Sequence, residues 1–172
     1  MNKSDDDDTG RLLTERFLSL VRERRWRDAA GAAQELSDVL CAMGHIQQAA
    51  GVLQFALDMK PDGGAQQQTL SSHERGALME QLGRVYLRLG QPRDAASSFK
   101  EAEKHTRSGR TDPCQLVSLL VNLGSAETLS DDHGSALGSL QRARDAADRG
   151  CAPYSYAVSS ALGNLYHVQG QK

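Results

Sequence analysis

The segment from Met79 to Ala102 narrows the fold more than any other part of the chain. Leu82-Gly83 is followed by Tyr86, then by Gly90, then by Ala95-x-x-x-Phe99 and Ala102. Apolar residues recur here at helical spacing on both sides of a glycine, the pattern of two helices joined by a tight turn. A glycine inside a helix costs about 1 kcal/mol relative to alanine, so Gly83 points to a place where a second helix comes close. Tyr86 and Phe99 are sized to fill the gap between the two helices, and Ala95 and Ala102 keep the second helix near the first. A hairpin of this kind cannot bury its apolar face alone, so it implies neighbours.

The neighbours are present. The same template falls on Leu36, Leu40, Gly44, Ala49, Leu53, Ala56 and Pro61, and again on Leu120, Leu123-Gly124, Ala136, Leu140 and Ala143, with Glu127 where Tyr86 stood. A last copy begins as Leu162-Gly163-x-x-Tyr166-x-x-x-Gly170. This framework resembles the W-x₂-L-G-x₂-Y…A-x₃-F signature of the tetratricopeptide repeat (TPR), with Met79 in place of the aromatic. Leu36, Leu82, Leu123 and Leu162 are spaced 46, 41 and 39 residues apart, longer than the ~34 of a standard repeat. The extra length is assigned to Asp62–Gln68 and Arg107–Asp112. Longer repeats of this size resemble kinesin-light-chain-like and SNAP-like arrays. The resemblance implies an all-α, right-handed superhelical solenoid of antiparallel helix pairs, and a protein-binding scaffold rather than an enzyme.

A second, narrower resemblance lies in Trp26-Arg27-Asp28-Ala29-Ala30 and in Leu82-Gly83-Arg84-Val85-Tyr86-Leu87-x-x-Gly90, with Ala95 and Phe99-x-x-x-Glu103-Lys104. These segments are similar to the C-terminal TPR region of the TPR-bearing TRAPP vesicle-tethering subunit. The match covers under half the chain and lacks the long insertion between its first two segments. It implies membrane-traffic tethering through protein contacts. The ~40-residue period is similar to that of light-chain-like arrays, a resemblance that implies a cargo adaptor instead, and a regulatory TPR segment of a larger protein is a third reading.

Eight helices are predicted. Residues 1–10, with Asp5–Asp8, read as an acidic disordered tail because like charges in a run repel. That run either attracts a basic partner or keeps the tail solvated. A cap helix spans 12–25, with Leu13, Phe17, Leu20 and Val21 on one face, and repeats follow at about 28–61, 72–107 and 113–149, with a partial repeat at 153–172. Ser71 and Glu74 have capping-box spacing. Pro92, Pro113 and Pro153 open helices as first-turn prolines. The front of the chain holds a conflict: Trp26–Ala30 reads as the entry to a second helix, Leu36–Gly44 as a first helix. The second reading keeps Ala49, Leu53, Ala56 and Pro61 in register.

Charge and composition exclude other classes. The chain carries 20 basic and 22 acidic residues for a net charge of −2, so it has no electrostatic footprint for nucleic acid. No apolar run reaches the ~18 residues of a membrane span, and the first ten residues lack the apolar core of a signal peptide. Cys41, Cys114 and Cys151 show no paired spacing, which reads as three free thiols in a reducing, cytoplasmic setting. His45, His73, His105, His133 and His167 lie one to a region, without metal-ligand or base–nucleophile spacing. No catalytic, cofactor or metal residue is assigned, and no cofactor is expected. The basic cluster Arg22, Arg24, Arg25, Arg27 is diluted by Glu15, Glu23 and Asp28 and reads as a solvated face.

In the TPR framework the ligand lies on the concave surface made by the first helices. The residues beside the Leu-Gly pairs that would face it are Gln34 and Asp38, Glu80 and Arg84, Asn122 and Ser125, and Ser160 and Asn164. TPRs that grip a chaperone's C-terminal carboxylate use a lysine/asparagine/arginine clamp there. Here Glu80 stands where the lysine is needed and Arg84 where the asparagine is needed, and only Asn122 fits, so the expected ligand is another peptide or helix. The final helix carries Tyr156, Leu162, Leu165 and Tyr166 with nothing after it to cover them. The expectation is that the natural protein continues past Lys172, or that this end pairs with another chain or self-associates.

Overall fold

The computed structural model describes residues 3–59, 70–107 and 112–170. Eight α-helices run in order through them: α1 (Lys3–Arg22), α2 (Trp26–Ala42), α3 (Ile46–Asp58), α4 (Ser72–Arg88), α5 (Pro92–Arg107), α6 (Pro113–Leu129), α7 (His133–Gly150) and α8 (Ser155–Gly170). No strand occurs among the described residues. Each helix packs against the next, and α2, α4, α6 and α8 also touch one another in sequence. That second row is what makes the array a solenoid rather than a string of hairpins. Asp62–Gln68 and residues 108–111 of the second segment, assigned above to the extra repeat length, lie outside the described residues.

Four of the turns are built alike. Arg25, His45, Gln91 and Asp132 each donate a backbone N–H to the carbonyl five residues earlier, on Leu20, Leu40, Tyr86 and Glu127, at 2.8–2.9 Å. The residue before each donor has positive φ: Arg24 (58°), Gly44 (84°), Gly90 (70°) and Asp131 (64°). Glycine supplies this left-handed position without strain in two of the turns. The same turn thus both opens and closes α2. The helix serves as the second member of a hairpin with α1 and as the first member of a hairpin with α3, so both readings of Trp26–Gly44 are realised in one segment. The edge-to-face pair Phe17–Phe55, with centroids 5.9 Å apart, brings α1 to α3 beside it.

Small side chains govern how closely the helices approach. Ala49, Ala56, Ala95, Ala102, Ala136 and Ala143 are fully buried, as are the larger residues between them, Leu53, Phe99 and Leu140. A Cβ on Gly83 would lie 2.6 Å from Phe99 Cε1, and one on Gly124 would lie 2.6 Å from Leu140 Cγ. These glycines are seats for a side chain of the second helix, and any substituent would occupy the same space. Ser37 holds the equivalent place on α2, buried with its hydroxyl unpartnered. One core cluster joins α1–α4 and another α5–α8, with Met79 and Tyr86 of α4 packed against both.

Several expectations need correction. α1 begins at Lys3, within the segment read above as an acidic tail. α2 begins at Trp26 and α3 ends at Asp58, where the first repeat was placed at about 28–61. Pro153 lies in a one-turn 3-10 helix, Ala152–Tyr154, that precedes α8. Cys114 and Cys151 form a disulfide, with Cα atoms 5.2 Å apart. Cys41 alone is free, and it is buried. The thiol pair is 37 residues apart in sequence, and only the antiparallel return of α7 along α6 joins them. A reducing compartment is therefore no longer implied by the cysteines.

Candidate protein-binding surface

The first helices α2, α4, α6 and α8 carry all eight residues predicted to face a ligand. Packing of α4 on α2 brings part of that set together. Gln81, buried on α4, donates from Nε2 to the Gln34 carbonyl (3.0 Å) and to Asp38 Oδ1 (2.8 Å). Arg88 reaches across the same seam to the Cys41 carbonyl at 3.0 Å, and Arg27 lies 3.5 Å from Glu74. Polar contacts thus hold α2 to α4 along most of their length, while Asp38 and Arg84 stay exposed above the seam.

Glu80 is largely buried and accepts from Arg84 Nη1 at 2.8 Å. Burial pushes its carboxyl above the usual range, and Arg84 only partly offsets this. The pair presents a guanidinium outward over a carboxylate that is shielded beneath it. Ser125, half-buried, donates its hydroxyl to the Val121 carbonyl of its own helix (2.8 Å). Ser160 and Asn164 are exposed on α8. No hydrogen bond or ion pair found among the described residues joins Asn122, Ser125, Ser160 or Asn164 to the α2–α4 group. Asn122 holds the place of Gln81, one residue beyond the place of Glu80, which Val121 fills.

Sequence reasoning missed Gln81, and the only available signal was its position beside Leu82-Gly83. It also passed over the role of Glu127. This residue stands where Tyr86 does one repeat earlier, and it is 1% exposed. Lys100 Nζ of α5 lies 2.9 Å from Glu127 Oε1, and Ser139 of α7 donates to Oε2 at 2.7 Å. A carboxylate can be buried at a three-helix junction because both oxygens are engaged.

Two open clefts accompany this surface. One of about 530 Å³ lies between α1 and α2, lined by Arg16, Glu23, Arg25, Arg27, Asp28 and Glu35 among others. Arg16 pairs with Glu35 at 2.8 Å, and Arg25 with Asp28 at 2.8 Å and Glu23 at 3.6 Å. The basic cluster of the sequence is thereby divided among neighbouring acids, and Asp28 foremost holds Arg25 more firmly charged. A second cleft of about 320 Å³ sits over Glu127 and Lys100, with Arg93, Ser97, Ser130 and Asp132 around it. Among the described residues no three histidine, cysteine or acidic side chains gather into a metal-binding group. No helix among them is long and apolar enough to cross a membrane.

Comparison with solved structures decides the architecture. A single-substitution variant of a kinesin-light-chain-type protein of Podosopora anserina, with nearly identical TPR-like repeats, superposes with a TM-score of 0.79 at 19% identity. The alignment covers 98% of this chain and 81% of that one. The same protein without that substitution gives 0.77 over the same shares. The fold is TPR-like. No protein-family model matches the chain, and no curated protein does. The TPR-like fold accounts for the double row of contacts, with α2, α4, α6 and α8 as first helices and α3, α5 and α7 as second helices.

Proposed function

We propose that the chain is a non-enzymatic protein-interaction scaffold that binds a peptide or helix on the surface made by α2, α4, α6 and α8. The observation that carries this reading is the α2–α4 seam. Gln81, Arg88 and Arg27 fix these two helices to each other through polar groups, leaving Asp38 of α2 and Arg84 of α4 exposed on a rigid base. A surface set in advance loses little entropy on binding, and a face that carries both signs of charge suits a ligand of mixed charge. The likeness to a kinesin-light-chain-type protein, together with the ~40-residue repeat, favours a cargo-adaptor role within this class. The vesicle-tethering reading draws only on the Trp26–Ala30 and Leu82–Lys104 segments.

The test is affinity capture on the immobilised chain followed by mass spectrometry. It is run in parallel with a double charge reversal, Asp38→Lys with Arg84→Glu, whose melting temperature is checked first. Proteins captured by the parent and lost on the folded variant support the reading. An unchanged set of captured proteins would sink it.

A further inference from the structure

The joint from α7 to α8 is complete within the described residues, and it turns on Cys151. The Cys151 N–H donates to the Ala147 carbonyl at 2.8 Å and closes α7. Its carbonyl accepts from Tyr154 at 3.1 Å, in the turn that leads into α8. Its sulfur is bonded to Cys114, the second residue of α6. One residue thus fixes the end of α7, the direction of α8 and the start of α6. Cys151 is 1% exposed and shares a core cluster with Val117 of α6, Ala147 of α7 and Val158 of α8. Cys114 is only half-buried, and Asp112 and Pro113 before it are exposed. The bond can therefore be reached from the Cys114 side.

The pairing of α6 with α7 does not depend on this bond. At the other end of the hairpin Leu140 occupies the Gly124 seat, and Ser139 donates to Glu127 at 2.7 Å. Between the two ends Val117, Leu120, Ala143 and Ala147 are buried. With the bond broken, α6 and α7 stay together and keep the two thiols close, while the joint to α8 is tied to α6 by side-chain packing alone. We propose that Cys114–Cys151 is a redox-sensitive latch on the α7–α8 joint, closed by oxidation and opened by a small thiol. A thiolate bonds to Cys114 Sγ, the more accessible sulfur; the S–S bond breaks, and its electron pair leaves on the Cys151 sulfur, which takes up a proton. A second thiolate attacks the added sulfur and releases Cys114, which is protonated in turn. Two external thiols become one disulfide, and two electrons and two protons pass to the protein. The return is open as well, because the hairpin holds the Cα atoms 5.2 Å apart, inside the range a disulfide spans. Ser160 and Asn164 ride on α8, so the latch governs the last part of the proposed ligand surface. That consequence rests on the reading above; the latch itself does not.

The probe is glutathione, applied to the whole chain with Cys41→Ala so that no third thiol exchanges. The chain is equilibrated at a series of reduced-to-oxidised ratios, approached from both directions. Alkylation and mass spectrometry read the bond, and hydrogen exchange reads each helix. The expected result is one reversible transition, with exchange about tenfold or more faster at residues 151–158 in the reduced chain. Within this half of the molecule, the gain should be smallest at the Gly124–Leu140 end of the hairpin. The double variant Cys114→Ala with Cys151→Ala should show the open pattern at every ratio. A bond that stays intact in the folded chain at the most reducing ratio overturns the proposal, since it is then a fixed staple. Exchange at 151–158 that ignores reduction overturns it, and so does an equal gain at the Gly124–Leu140 end, which would make the bond a condition of the fold. None of these readings involves Asp38 or Arg84, so failure of the latch and failure of the ligand surface are told apart.

Discussion

At the residue scale, three helical glycines with the same sequence context have different physical roles. Gly83 and Gly124 are seats already filled, so Gly83→Leu and Gly124→Leu should each overpack the hairpin and cost roughly 1–3 kcal/mol. Phe99 fills one seat and is wholly buried, so Phe99→Ala should cost about 3–5 kcal/mol. Tyr86 reads in the sequence as a second buried ring beside Phe99, but it is half-buried and its hydroxyl accepts from Gln54. Its replacement by alanine should cost clearly less than that of Phe99. Thermal or urea unfolding of the four variants checks the ranking, and equal losses for Tyr86 and Phe99 would contradict it. The seats were legible in the sequence because Leu-Gly recurs in register. Their occupancy was not, since Gly163 reads the same as Gly124 and differs only in what packs on it. Glu127 was legible as a departure from Tyr86, but its partners Lys100 and Ser139 come from two other helices. Because that carboxylate is fully buried, Lys100→Met should cost about 1–3 kcal/mol, a buried-pair loss reduced by the half-exposure of the lysine. A melting temperature within error of the parent would show that Ser139 alone satisfies Glu127.

At the scale of the element, helix starts were easier to read than helix ends. The Ser71–Glu74 capping box is present as its spacing implied, with the Ser71 N–H donating to Glu74 Oε2 at 2.6 Å and the Glu74 N–H donating to Ser71 Oγ at 3.2 Å. Burial alone would raise the Glu74 carboxyl, but the Ser71 bonds, with Arg27 and His73, bring it below its ordinary value. A depressed folded-state pKa stabilises the fold above the unfolded value and loses that contribution as pH falls through the folded value. Glu80 behaves in the opposite sense: its raised carboxyl favours the fold as pH falls. Ser71→Ala should therefore cost about 1 kcal/mol at neutral pH and flatten the loss of stability on acidification. Glu80→Gln should instead steepen that loss, by removing the group that gains from protonation. Melting temperatures of both variants across the carboxylate range test this, and parallel shifts would refute it. Pro153 shows why the same kind of signal failed elsewhere. A first-turn proline suits a 3-10 turn as well as an α-helix, and the turn here is held by the Cys151 carbonyl, which accepts from the Tyr154 N–H at 3.1 Å.

At the scale of the whole molecule, the repeat pattern conveyed the architecture, whereas the staple across it could not be read. A solenoid is a one-dimensional array in which each unit contacts only its neighbours, so a local change should stay local. The core supports this: one cluster spans α1–α4 and another the later helices, meeting at Met79 and Tyr86. The Cys114–Cys151 disulfide lies wholly within the second part, tying the start of α6 to the turn after α7. Closing a loop of that length restricts the unfolded chain by about 3–4 kcal/mol in the chain-entropy treatment. Reduction should lower the unfolding temperature, and its effect should be concentrated where the constraint acts. Hydrogen exchange read by mass spectrometry, with and without reductant, is the decisive measurement. Faster exchange is expected in α6, α7 and α8, with α2 and α3 close to their oxidised rates, because opening near the disulfide does not require α2 and α3 to separate. A uniform loss of protection across all helices would mean the eight helices unfold as one cooperative unit, against the nearest-neighbour picture that the contacts convey.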